Sequence, residues 1–127
     1  MNVGLNHVAV YVCNLERAKE YYIKYFGGRS GELYEAHGFS SYFITFNNGA
    51  RLEIMHDVKL KAAQPDEYAS GWSHIAFSVG NRQEVLDITE RIVSDGYKLY
   101  SAPRETGDGY FESCVADPDG NRVEITI

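Results

Sequence analysis

A chain of 127 residues, 44% apolar and 24% charged, is long enough to bury one sound core or two small ones, and it needs no disulfide scaffold. Its 12 Lys and Arg stand against 18 Asp and Glu, a net charge of −6, and no helical segment carries a basic stripe, so a nucleic-acid partner is not expected. The opening MNVGLNHVAVYVCNL lacks a positively charged leader region and no stretch is apolar for long enough to span a bilayer, which predicts a cytoplasmic protein without a membrane partner. Cys13 and Cys114 form no C-x-x-C pair and are expected as two reduced, partly buried thiols.

Taken in chain order, the first element is an apolar-rich strand, Val8-Ala9-Val10-Tyr11-Val12, entered through Asn6-His7. Leu15, Ala18, Tyr22 and Tyr25 then follow a helical rhythm, with Asn14 as N-cap and Gly27-Gly28 as the stop. Strand-like runs follow over Gly31 to Glu35 and Ser41 to Phe46, then the turn Asn47-Asn48-Gly49 and a last strand with Leu52, Glu53 and Ile54. The segment from Asp57 to Gly71 has no clean period and contains Pro65, so it reads as a connection. A second strand, Ile75-Ala76-Phe77-Ser78-Val79, is entered through Ser73-His74, and a helix with Val85, Ile88 and Ile92 on one stripe is capped by Asn81 with Glu84 three residues on and stopped at Asp95-Gly96. Strand-like runs over Lys98 to Ser101 and Tyr110 to Ala116, the turn Asp117-Pro118-Asp119-Gly120, and a strand with Val123, Glu124 and Ile125 complete the chain.

The two halves are one unit used twice. His7 and His74 are separated by 67 positions and Glu53 and Glu124 by 71, so the order βαβββ repeats with a small insertion. The expected boundaries are a first module over 1–56, a connecting segment over 57–71 and a second module over 72–127, together one domain. Each module has a helix for one sheet face and nothing for the other, and an open sheet edge, so paired modules within one chain or exchanged in a dimer are expected.

Strand periodicity places His7, Ala9 and Tyr11 on the face opposite Val8, Val10 and Val12, and His74, Ala76 and Ser78 opposite Ile75, Phe77 and Val79. Glu53 alternates with Leu52 and Ile54, and Glu124 with Val123 and Ile125. If the apolar sets face the helices, one imidazole and one carboxylate from each repeat are left on the open face. Solvation alone would not demand the same residue twice. Two neutral imidazoles and two carboxylates form an N₂O₂ ligand set suited to Zn²⁺, Ni²⁺, Co²⁺, Fe²⁺ or Mn²⁺ rather than Ca²⁺ or Mg²⁺. In the strand up to Ala116, Phe111, Ser113 and Val115 form the core-like face, which turns Tyr110, Glu112 and Cys114 toward the pocket. His37 and His56 are read as loop or rim histidines outside the ligand set.

The motifs NHVAVYV, RLEIM, SHIAFSV and DPDGNRVEIT resemble those of the vicinal oxygen chelate superfamily, also called the glyoxalase, bleomycin-resistance and extradiol-dioxygenase fold. The resemblance covers essentially the whole chain. It implies an α+β fold of two βαβββ modules whose mixed, curved sheets surround a metal-binding cleft, a small-molecule substrate, and in many members a homodimer. His7, Glu53, His74 and Glu124 match the His/Glu/His/Glu ligand set of bacterial glyoxalase I, which implies a divalent ion, Ni²⁺, Co²⁺ or Zn²⁺, with Fe²⁺ or Mn²⁺ also compatible. The activity implied is a lactoylglutathione lyase-like carbon-sulfur lyase or isomerase reaction: proton abstraction next to a carbonyl through an enediolate whose charge the ion stabilises, with Glu124 as base and Glu53 opposite it.

The chain departs from glyoxalase I at two places. Tyr11 and Asp57 stand where that enzyme usually carries an Arg and an Asn that contact glutathione, so the resemblance points to another thiol adduct or another small carbonyl compound, with Tyr11 on the substrate side. Other activities of the same fold are an acyl-CoA epimerase, which usually carries Gln in place of Glu53, an Fe²⁺-dependent ring-cleaving dioxygenase, and a non-catalytic antibiotic-like binding protein.

Overall fold

The computed structural model describes residues 1–62 and 66–127, and the chain forms two compact units, Met1–Ala63 and Gln64–Ile127. The connecting segment expected over 57–71 includes residues 63–65, which lie outside the described residues. The α+β architecture follows the expected repeat, with differences at the sheet edges.

In the first unit the elements are β1 (Val8–Tyr11), α1 (Leu15–Phe26), β2 (Arg29–Ser30), β3 (Tyr34–Ala36), β4 (Phe39–Thr45) and β5 (Arg51–Asp57). The sheet runs β1-β5-β4-β2, with β3 also paired to β4; β1 is parallel to β5 and the other pairs are antiparallel. Asn14 caps α1 by accepting from the Arg17 amide at 3.0 Å, and Gly27 ends it with φ 65°, a left-handed conformation that glycine adopts without steric cost. The helix buries Ala18, Tyr21, Tyr22 and Tyr25, and the sheet buries Ile44, Leu52 and Ile54. Each large side chain so buried stabilises the unit by about 1.5–3 kcal/mol.

The single strand expected over Gly31 to Glu35 is instead two short ones, and the register gives the reason. Tyr34 faces Ser41 across β3 and β4; carried back, that register would set Ser30 opposite Thr45, but Ser30 faces Ile44. The one-residue slip between β2 and β3 is the signature of a bulge, tolerated here because the strand is an edge with no second neighbour to hold it straight. His37 and Gly38, both at positive φ (53° and 85°), make the two-residue turn that joins β3 to β4.

In the second unit the elements are β6 (His74–Ser78), α2 (Arg82–Ser94), β7 (Leu99–Glu105), β8 (Phe111–Ala116) and β9 (Arg122–Thr126), in the sheet order β6-β9-β8-β7 with β6 parallel to β9. The edge strand β7 runs four residues past the expected Ser101 and carries two register shifts against β8, so both modules bulge at the same edge. Asn81 caps α2 through the Glu84 amide at 2.9 Å. Val85 and Ile92 are buried as expected, but the third fully buried position is Thr89 and Ile88 is only half-buried. A hydroxyl is tolerated there because Thr89 donates to the Val85 carbonyl at 2.5 Å and lies 2.6 Å from the Ser113 hydroxyl, so neither buried group lacks a partner. No helix among the described residues is long and apolar enough to cross a membrane.

The turns before the last strands are built alike. The Gly49 amide donates to the Phe46 carbonyl and the Phe46 amide to that of Ala50; in the second unit Gly120, Asp117 and Asn121 repeat the pattern. These turns set the start of β5 and β9, and therefore the height of Glu53 and Glu124 on their sheets.

Candidate functional site

Burial alternates along β1, β5, β6 and β9 as strand geometry requires. Val12, Leu52, Ile54, Val123 and Ile125 are buried on the helix side, while His7, Glu53, His74 and Glu124 keep partial access to solvent on the other. The parallel register is the same in both units. Glu53 pairs with Ala9, two residues beyond His7, and Glu124 pairs with Ala76, two residues beyond His74. Each histidine thus reaches diagonally across one strand gap to its glutamate: His7 Nε2 lies 3.5 Å from a Glu53 carboxylate oxygen and His74 Nε2 lies 3.3 Å from one of Glu124.

These separations fit two ligands of one ion. Bonds of about 2.0–2.2 Å to nitrogen and oxygen, taken at octahedral or tetrahedral angles, hold adjacent donor atoms about 3.0–3.5 Å apart, whereas a direct N–H···O hydrogen bond would sit near about 2.9 Å. His7 Nδ1 is 2.7 Å from the Asn6 side-chain oxygen, an acceptor that fixes the ring with Nε2 turned toward Glu53. His74 Nδ1 is 3.0 Å from the Ser73 hydroxyl, which can hold it in the same manner. Partners of this kind fix ring orientation in metal sites. Among the described residues no group of three or more His, Cys, Asp or Glu side chains that could hold a metal ion is gathered about one point.

The other expected site residues are placed as follows. Tyr11 ends β1 on the same side as His7 and is exposed, and Tyr110 is exposed in the turn just before β8. Glu112 on β8 hydrogen-bonds to Glu124 of the neighbouring strand, and that contact, with partial burial and the charge of Glu124, pushes its carboxyl up to about 7. Cys114 pairs in register with Glu124, yet it is buried rather than presented to solvent, and burial pushes its thiol up. Cys13 is exposed. His56 Nδ1 lies 2.9 Å from the Val12 carbonyl, a bond that ties β5 to the end of β1.

Asn6, Ser73, Arg51 and Arg122 were not among the expected site residues. Arg51 and Arg122 each stand two residues before the site glutamate, on its side of the strand, and each guanidinium lies over an aromatic ring of its own sheet: Phe43 at 4.1 Å and Tyr100 at 4.2 Å. The Phe43 ring also meets His7 edge to face, with centroids 5.1 Å apart. The polar residue before each histidine and the Arg-x-Glu spacing are both visible in the sequence; that they touch the site is not, since it depends on rotamers and on the neighbouring strand.

Methylmalonyl-CoA epimerase, mitochondrial, of Bos taurus is 33% identical to this chain over 109 residues, covering 77% of this chain and 62% of that protein. Among solved structures, a glyoxylase/bleomycin resistance protein/dioxygenase domain from Frankia sp. EAN1pec superposes with a TM-score of 0.86 at 17% identity, covering 100% of this chain and 98% of that one. Glyoxalase I from Zea mays superposes with a TM-score of 0.78 at 22% identity over 95% of this chain and 43% of that one. The chain therefore spans less than two thirds of the bovine and maize proteins. A family model, the Glyoxalase/Bleomycin resistance protein/Dioxygenase superfamily, matches residues 4–125. With nearly its whole length matched and the paired-module fold in common, this chain belongs to the Glyoxalase/Bleomycin resistance protein/Dioxygenase superfamily.

Proposed function

We propose that this protein is a metal-dependent lyase or isomerase of the glyoxalase I kind, which moves a proton on carbon next to a carbonyl in a small thiol adduct other than that of glutathione. The observation that carries the reading is the matched His–Glu pair in each module, in one register and at one donor spacing. His7, Glu53, His74 and Glu124 are the proposed ligands of one divalent ion, Ni²⁺, Co²⁺ or Zn²⁺, with two donors from each module, drawn from one chain or from two in a homodimer. Such an ion, when bound, supplies Lewis acidity for the negative charge that grows on the carbonyl oxygen.

The side chains divide the remaining work. Asn6 and Ser73 hold the imidazoles with Nε2 forward. Glu124 accepts the carbon-bound proton and returns it to the neighbouring carbon, with Glu53 opposite. Glu112, hydrogen-bonded to Glu124, keeps that carboxylate aligned. Tyr11 and Tyr110 offer exposed rings to the substrate. Asp57 at the end of β5 carries a negative charge that disfavours a glutathione carboxylate, which supports a different thiol.

The epimerase relative favours a second reading, acyl-CoA epimerisation, which uses the same proton abstraction and differs in where the proton returns. One experiment separates the readings: metal content of the purified protein, then turnover of a hemithioacetal series and solvent-deuterium exchange into 2-methylmalonyl-CoA, for wild type and Glu124→Gln. Glyoxalase-type chemistry predicts bound metal and hemithioacetal turnover that falls at least about a thousandfold in the variant. Exchange into the thioester alone supports the epimerase. A metal-replete wild type inert toward both sinks the enzymatic reading; tight ligand binding without metal indicates a binding protein, and oxygen uptake with a catechol that survives Glu53→Ala indicates a dioxygenase.

A further inference from the structure

The stretch that enters the second repeat carries two aromatic rings in water. Tyr68 is 87% and Trp72 92% exposed, and both lie in the second unit together with the residues discussed next. Residues 66–69 form one turn, in which the Asp66 carbonyl accepts from the Ala69 amide at 3.1 Å and the Asp66 side chain from the Tyr68 amide at 2.9 Å. At the tip of that turn Glu67 pairs with Arg122 at 2.8 Å. Arg122 is the firm half of this contact. It sits on β9 two residues before Glu124, on the same side of the strand, and it stacks on Tyr100, whose hydroxyl donates to the Gly120 carbonyl at 2.7 Å. Gly71 follows the turn with φ 126°, a backbone conformation that a residue with a side chain rarely adopts. Trp72 comes next, two residues before His74, which keeps the two Cα atoms within about 7 Å of each other.

A latch, a hinge and an exposed indole thus stand in one run of chain beside the His74–Glu124 pair. We propose that residues 66–72 are a hinged lid that closes Trp72 over an apolar group of a substrate bound beside His74 and Glu124. The lid deepens the reading above and rests on it: the substrate it fits is a carbonyl compound with an apolar or aromatic group near its reacting oxygens. Both partners of the Glu67–Arg122 pair have access to water, so the latch is weak and opens readily, as turnover beneath a lid requires. Two rings left in water within five residues forgo burial that a closed lid recovers, and an indole covers a large apolar area with few rotatable bonds. A closed lid also keeps water from the carbon that exchanges its proton.

Trp72 is the one tryptophan of the chain, so indole emission reports on the lid alone. The probes are benzohydroxamate and acetohydroxamate, which share a chelating pair of oxygens and differ in an apolar ring, added to the zinc-loaded protein. Benzohydroxamate is expected to shift the wild-type emission to the blue and to lower its quenching by acrylamide. Trp72→Ala, followed by calorimetry, is expected to bind benzohydroxamate about three- to tenfold more weakly and acetohydroxamate within about twofold of wild type, with Trp72→Phe retaining part of the difference. In the metal-free protein, Glu67→Gln is expected to raise the ratio of mobile to held indole in the anisotropy decay about two- to fivefold. Saturation by benzohydroxamate with the emission unchanged, or an equal loss for both probes in Trp72→Ala, overturns the lid and leaves the metal centre standing. Indole mobility unchanged in Glu67→Gln overturns the latch and the proposal with it. Emission that is already blue and shielded from acrylamide before any probe is added shows Trp72 covered by another surface, which overturns it too. Binding of neither probe removes the metal centre and the lid together.

Discussion

Glu112→Gln provides a pH experiment whose sign follows from the fold. In the metal-free protein the Glu112 carboxyl is raised from 4.5 to about 7, first through its hydrogen bond with Glu124, then through burial and the Glu124 charge. Between those two values the folded state holds a proton that the unfolded chain has released. The contribution of this carboxyl to stability is therefore greatest at low pH, falls as pH rises from 4.5, and is gone above about 7. A shift of this size would amount to about 3 kcal/mol for a fully enclosed group, and solvent access to the pair reduces it to the order of 1 kcal/mol. In a chain of this length that is about 4 °C in melting temperature. The assay is thermal unfolding in chelator from pH 4.5 to 8 for wild type and Glu112→Gln. The wild-type midpoint should decline across this window relative to the variant; two curves that run parallel would refute the carboxyl pair. Adding Zn²⁺ near pH 6.5 should release a proton from wild type that Glu112→Gln does not release, visible as a buffer-dependent heat.

Two further predictions concern the scaffold. Asn81→Ala removes the acceptor for the Glu84 amide and should cost about 1 kcal/mol, measured by urea unfolding with an unchanged slope. Thr89→Val leaves the Ser113 hydroxyl buried without its partner and should cost about 1–3 kcal/mol, most of it recovered in the double variant with Ser113→Ala; a fully additive double variant would show that the two hydroxyls do not interact.

Much of this protein could be read before folding it. The helix caps Asn14 and Asn81, the stops at Gly27 and Asp95-Gly96, and the two Gly-containing turns are local, because each depends on a side chain reaching a backbone group within a few residues. The side of the strand that carries His7, Glu53, His74 and Glu124 was likewise legible, since alternation in a half-buried strand has a period of two whatever its neighbours are. What the linear chain did not hold was anything decided by a neighbouring strand. The slip that splits the expected Gly31 to Glu35 strand depends on how β4 pairs with two different segments. Thr89 rather than Ile88 is buried because Ser113 of β8 offers a hydroxyl at that height. The diagonal contact of each histidine with its glutamate, the shared carboxyl pair of Glu112 and Glu124, and the stacking of Arg51 on Phe43 beside His7 come from interstrand register. Composition and spacing therefore determined which chemical groups face outward, and tertiary structure alone decided which of them touch, because contact across a sheet is set by pairing between segments tens of residues apart.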